Sequence, residues 1–119
     1  MAAQDVLDEA ALEDLLEMTG GDPAFLAEMI DTYVADAGEL LATTRQALAA
    51  GDAQAVRRAA HSLKSNSATF GATALAGLCQ DLEERGKTGA LDGAAALVTR
   101  VETTFVEVAA ALRAARPAV

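Results

Sequence analysis

The sequence predicts an all-α protein: an antiparallel up-down-up-down four-helix bundle with a short additional N-terminal helix. Three observations lead there. The 119 residues include two prolines, no tryptophan and 3% aromatics, and much of the 52% hydrophobic content is alanine, a strong helix former. Apolar residues recur in steps of three and four rather than two. Glycines interrupt that pattern at helical intervals. The length suits one domain, residues 1–119, with a modest core.

The first segment, roughly residues 5–18, sets Val6, Leu7, Ala11, Leu12, Leu15 and Leu16 at helical spacing and stops at Gly20–Gly21. It is short and is expected to lie over the others. The second opens with Asp22–Pro23, an N-cap followed by proline at the first helical position, where its missing N–H costs nothing. Its apolar positions run from Phe25, Leu26, Met29 and Ile30 through Tyr33, Val34, Ala37, Leu40 and Leu41 to Leu48, and Gly51 ends the pattern. At 1.5 Å per residue that helix is roughly 40 Å long. Asp52 can cap the third helix, whose stripe is Val56, Ala60, Leu63, Ser67 and Phe70, and Gly71 marks the next turn. The fourth buries Leu75, Leu78, Cys79 and Leu82 and is expected to stop where Gly86 and Gly89 fall. The fifth presents Leu97, Val98, Val101, Phe105, Val108 and Leu112, and Pro117 follows its end. Four long amphipathic helices on short connections have one economical packing, the bundle.

Charge narrows the function classes. A formal charge of −9 and a pI of about 4.4 set the molecule as a whole against nucleic acid and anionic membranes. No apolar run approaches the roughly 20 residues that span a bilayer, and the N-terminus "MAAQDVLDEA" is acidic where a secretory signal is basic. A single cysteine, Cys79, forms no internal disulfide, and one Cys with one His is too little for a structural zinc site. The expected location is therefore the cytoplasm. The charge is also uneven: residues 1–44 hold eleven Asp or Glu and no Lys or Arg, whereas 57–80 hold Arg57, Arg58 and Lys64 and no acid.

The chain's one histidine, His61, falls in that basic segment, within "AHSLKSNSATFGA". At about 100° per residue it points roughly 130° from the centre of the third helix's apolar stripe, toward solvent. One turn away are Arg57 and Arg58 on one side and Lys64 and Ser65 on the other, with Ala68 continuing the row. Each part has a use if His61 attacks phosphorus. Imidazole is mostly neutral near pH 7, and adjacent positive charge favours that nucleophilic form. The same cations would steady the oxygens of a transferred phosphoryl group, Lys64 as a point charge and an arginine as a fork. Small side chains at 65 and 68 would admit a partner surface. A lone exposed histidine on a helix commonly does nothing chemical, however, and basic side chains on a helix face are commonly just solvated. Periodicity leaves both readings open.

The string itself resembles the signature of histidine-containing phosphotransfer (HPt) domains: a histidine, an apolar residue two on, lysine three on, a small residue four on, and ten on a glycine that follows a bulky apolar residue. Here these are His61, Leu63, Lys64, Ser65, Gly71 and Phe70, with the small Ser67 and Ala68 between and Arg58 three before. "GGDPAFLAEMIDTYVADAGELL", "ALAAGDAQAVRRAAHSLKS" and "LAGLCQDLEERG" are similar to the family's helices in order, so the resemblance covers nearly the whole chain. Ser65 departs from the glycine of many members but is still small. The resemblance implies a four-helix bundle with an extra N-terminal helix, in which His61 reversibly accepts a phosphoryl group from the aspartate of a receiver domain and passes it to another receiver in a phosphorelay. Lys64, Arg58 and Arg57 would stabilise the phosphoryl charge, Ser65 and Ala68 would form the partner-docking face, and Gly71 would permit the tight turn that closes the helical pair.

The implied Mg²⁺ belongs to the partner receiver's carboxylate site, and no metal or other cofactor is expected on this chain. There is no P-loop, and Gly20–Gly21 and Gly86–Gly89 fall where helix stops are expected, so no ATP-dependent kinase activity is expected of the chain itself. Whether such a carrier counts as an enzyme is a matter of definition. The expected partners are receiver domains of response regulators or hybrid histidine kinases, met by a monomer that stands alone as a protein. Two rivals stand beside this reading. One is the phosphoacceptor domain of a chemotaxis-type histidine kinase, which "HSLKSNSATFGA" also resembles; the other is a helical scaffold that binds receivers without transfer.

The remaining polar and aromatic residues have plainer readings. Cys79 lies in an apolar stripe and is read as a core thiol rather than a redox switch. Tyr33 and the three phenylalanines are read as packing. The acidic first 44 residues either repel wrong partners or keep the protein soluble, and solubility is favoured. Ser62 and Asn66 flank the polar face, where exposed positions need no special reason.

Overall fold

The structure, a computed structural model, describes residues 6–118. Among the described residues five helices are defined: α1 (Glu9–Met18), α2 (Pro23–Ala49), α3 (Ala53–Thr69), α4 (Thr73–Thr88) and α5 (Ala94–Ala115). Each of α2 to α5 packs against the next across a short connection, and α5 returns against α2, which closes an antiparallel four-helix bundle with α1 lying over one end. The molecule is 43 Å in its longest dimension, set by the 27-residue α2.

Helix starts follow the acids. Asp22 accepts hydrogen bonds from the Ala24 and Phe25 amides, with Pro23 at the first helical position, and Asp52 accepts from the Ala55 amide at 3.1 Å. The first segment is more broken than its periodicity predicts. Asp8 is an N-cap in extended conformation, its carboxylate accepting from the Ala10 amide at 3.0 Å, so α1 begins only at Glu9 and Val6 and Leu7 are buried ahead of it. The expected start near residue 5 lies outside the described residues. An N-cap carboxylate competes with helix continuation through its own position, which apolar spacing alone does not reveal.

The stripes mostly point inward as expected. Val56, Ala60, Leu63 and Ser67 of α3 are fully buried against Leu75, Cys79 and Leu82 of α4 and Val98, Val101, Val108 and Leu112 of α5. Cys79 is a core thiol, and burial pushes it up to about 12, far from the thiolate form. Two residues depart. Phe70 caps α3 instead of continuing it, though it is buried. Phe25 is 51% exposed rather than packed, because it stands about 100° round α2 from the buried Leu26, and Leu26 and Ala27 beside it take the inward positions.

Two glycines have consequences for the site. Gly71 adopts φ +76°, the left-handed turn expected of it, and a Cβ there would also lie 2.7 Å from the Asp8 carbonyl oxygen. Its own carbonyl accepts from the Asp8 amide at 2.8 Å, so the α3–α4 turn is tied to the chain entering α1. Gly86 is not the helix stop that the sequence suggests. It is buried within α4, and a Cβ on it would meet the backbone of α3 at Arg57 N, 2.7 Å away, so its role is to let α3 and α4 approach closely. Gly89, left-handed at φ +76°, is the stop.

Beneath the α3 surface Tyr33 of α2 and Ser67 share a buried hydroxyl–hydroxyl hydrogen bond of 2.7 Å, and the Tyr33 ring stacks on Phe70 with centroids 4.7 Å apart. Burial pushes the Tyr33 phenol up to about 12. Tyr33→Phe leaves the fully buried Ser67 hydroxyl without this partner and is expected to cost about 1 kcal/mol. Urea denaturation checks it: the midpoint should fall with an unchanged slope, and an unmoved midpoint would show that the bond contributes nothing net.

Candidate functional site

His61 lies in the middle of α3 with its side chain 60% exposed, as the helical spacing predicts. Ser65 and Ala68, one and two turns on, are exposed along the same row, as are Arg57 and Arg58 one turn back. Neither arginine pairs with a carboxylate among the described residues. Gly71 ends the row at the turn.

What the sequence reading missed comes from α4. His61 Nδ1 lies 3.1 Å from Glu83 Oε2, and Lys64 Nζ lies 2.6 Å from Glu83 Oε1. Lys64 also donates to Gln80 Oε1 at 2.8 Å, and the Gln80 amide donates to Glu84 Oε1 at 3.2 Å. Lys64 is therefore held between two α4 side chains rather than standing free beside the histidine, and the surroundings of His61 are not purely cationic. A signal for this was present. His61 and Glu83 lie equally far from Ala72, the middle of the α3–α4 turn, and so do Lys64 and Gln80; in an antiparallel helical hairpin such pairs face each other.

The arrangement has a definite electrostatic sense. An ionised carboxylate only accepts hydrogen bonds, so neutral His61 facing Glu83 carries its proton on Nδ1 and presents the bare lone pair on Nε2. Glu83 stays ionised: the hydrogen-bonded Lys64 ammonium, aided by the bond to His61, holds its carboxyl below the ordinary value of 4.5 against the opposing effect of burial. The pairing thus contributes its stability in full above the ordinary glutamate range and loses it as pH falls through the lowered native value. Gly86, one turn beyond Glu83, keeps α4 close enough for the contact. Among the described residues no group of three or more His, Cys, Asp or Glu is placed to hold a metal, and no helix is long and apolar enough to cross a membrane.

A closed helical bundle with one exposed histidine in mid-helix, a carboxylate behind its ring and a lysine one turn on defines a phosphotransfer-type domain. The comparison with protein families agrees: the model of the Hpt domain matches residues 28–116, and the chain belongs to that family. Among solved structures it is similar to the crystal structure of histidine-containing phosphotransfer protein B (HptB) from Pseudomonas aeruginosa PAO1, with 39% sequence identity over 93% of this chain and 94% of that one and a TM-score of 0.87. No curated protein matches the sequence.

Proposed function

We propose that this chain is a phosphorelay carrier in which His61 Nε2 reversibly accepts a phosphoryl group from the aspartyl phosphate of one receiver domain and gives it to the aspartate of another. The observation that carries the reading is the exposed ring with its Nδ1 turned inward onto Glu83. Membership of the Hpt family and likeness to a histidine-containing phosphotransfer protein support it.

The step balances without a base on this chain. The Nε2 lone pair forms the P–N bond as the P–O bond to the receiver's carboxylate breaks, and that carboxylate leaves with the electron pair. The Nδ1 proton stays in place. The ring gains positive charge, which the Glu83 carboxylate behind it stabilises, and that charge makes the phosphoryl group easy to pass on. Arg58 and Arg57 are free to approach the phosphoryl oxygens, and Lys64 reaches them by exchanging Glu83 and Gln80 for phosphate on its flexible stem. Ser65 and Ala68 leave room for the receiver, whose own site supplies Mg²⁺. The protein works as a monomer in the cytoplasm.

Glu83 is a positioning residue in this scheme, and Glu83→Gln tests it. The substitution keeps the shape but removes the charge and the obligatory acceptor, and transfer is expected to slow by about tenfold or more. Imidazole nitrogen chemical shifts provide a readout that a merely structural role would not move. Wild type should show Nδ1 protonated and Nε2 bare, and the variant a mixture of tautomers. An unchanged tautomer together with an unchanged rate would remove Glu83 from the mechanism.

A further inference from the structure

Beside the His61 row, between the N-terminal half of α2 and the C-terminal end of α3, runs an open groove of about 340 Å³. Its apolar lining is Phe25 and Met29, floored by Tyr33 and Phe70, which are stacked and buried. Glu28 and Asp36 of α2 stand on its edge. Both are exposed, neither pairs with a cation among the described residues, and no lysine or arginine lines the groove. The exposed Phe25 ring with two unspent carboxylates makes an environment for a cationic side chain on an apolar stem: the ring attracts the cation and covers the methylenes, and the carboxylates supply the charge. The half-exposed Phe25 is the one large aromatic that the fold leaves uncovered.

The groove is also within reach of anything that docks on His61. Asn66 and Thr69, which line it, lie only five and eight residues along α3 from the histidine, roughly 8 and 12 Å along the axis. An interface of ordinary size covers about 800 Å² per partner, a disc of roughly 16 Å radius. Thr69 stands about 80° and Asn66 about 140° round α3 from His61, on the side toward α2, so a receiver seated over His61 that also rests on α2 covers this groove.

We propose that the groove selects the partner: it takes a lysine or arginine side chain that the cognate receiver projects beside its phosphorylation site. The proposal rests on the phosphotransfer reading of His61 and adds a rule of specificity to it, because a receiver with an acidic or short side chain at that point meets uncompensated carboxylates. None of the groove residues takes part in the transfer step, so the groove acts on docking alone.

The test is transfer kinetics between the chain and the phosphorylated receiver that serves wild type best among the host's receivers, with Glu28→Lys/Asp36→Lys and the milder Glu28→Gln/Asp36→Asn as variants. Both pairs of substitutions are on exposed helix positions. Small-molecule labelling of His61 by phosphoramidate, which needs no docking, reports an intact site. The expected result is that the receiver concentration for half-maximal rate rises about tenfold in the lysine variant and less in the neutral one, with the maximal rate and phosphoramidate labelling held. Replacing one basic residue of the receiver with glutamate should restore transfer to the lysine variant.

An unchanged half-saturation in both variants would overturn the proposal while leaving the transfer reading intact. A concentration-dependent dimer of the wild type, dissolved by the same substitutions, would also overturn it by assigning the groove to a second copy of the chain. If phosphoramidate labels wild type but no receiver does, both the groove proposal and the relay reading fall.

Discussion

His61→Gln is expected to abolish phosphoryl acceptance from a phosphorylated receiver while leaving the fold and the binding of unphosphorylated receiver in place. Glutamine suits a helix, and at a position whose side chain is 60% exposed it withdraws nothing from the core. What disappears is the Nε2 lone pair. Phosphohistidine is labile in acid and stable in alkali, so the label is easily distinguished from phosphoserine. Wild type should carry acid-labile label and the variant none, with receiver affinity by calorimetry unchanged within about twofold. Acid-labile label on the variant would place the acceptor elsewhere. A variant that kept its signalling output would favour the scaffold reading.

The largest structural effect is expected at Gly86. Its substitution by alanine would place a Cβ 2.7 Å from Arg57 N, 2.8 Å from Arg57 Cα and 2.9 Å from the Ala53 carbonyl oxygen, all backbone atoms that no rotamer change can move aside. Helices α3 and α4 must separate, at a cost of ~2 kcal/mol after the gain in helix propensity. Gly77, on the exposed face of the same helix with nothing within 4 Å of its would-be Cβ, is the control. Gly77→Ala should stabilise the protein by ~0.5–1 kcal/mol. Urea denaturation of the two variants should therefore show shifts of opposite sign. Equal shifts would mean that the α3–α4 approach at Gly86 has no energetic weight. Because Glu83 lies one turn from Gly86, the first variant should also transfer more slowly than its residual folded fraction explains.

These residues show what a linear sequence reveals and what it hides. The exposure of His61 was legible because helical rotation fixes direction from spacing alone, and so were the Asp22 and Asp52 caps, whose partners are the next few amides. Glu83 was hidden because its contact with His61 depends on the register of two helices, although the symmetry of both pairs about Ala72 encodes that register once the turn is known. Gly86 was misread because a glycine that ends a helix and one that admits a neighbour's backbone look alike in sequence. Asp8 was passed over because an N-cap can interrupt an apolar pattern without disturbing its spacing. Phe25 follows the three-and-four spacing of α2 but lies about 100° round from the buried Leu26, at the margin of the stripe, where exposure depends on what packs alongside and not on spacing. The excess of acid on the first 44 residues also proves mixed in purpose. Asp8 and Asp22 cap helices, Asp31 binds Arg116 through two bonds of 2.9 Å, and Glu28 and Asp36 flank the groove.

The most direct test of the carrier role is a pulse and chase. A radiolabelled phospho-receiver is mixed with a stoichiometric amount of the chain, and a second, unlabelled receiver is added once transfer has run. The label should leave the first receiver, appear on this chain in acid-labile form at the peptide containing His61, and then pass to the second receiver faster than it is lost to water. Label that decays on the first receiver without ever visiting the chain, or that reaches the chain at any peptide other than that of His61, would contradict the carrier role.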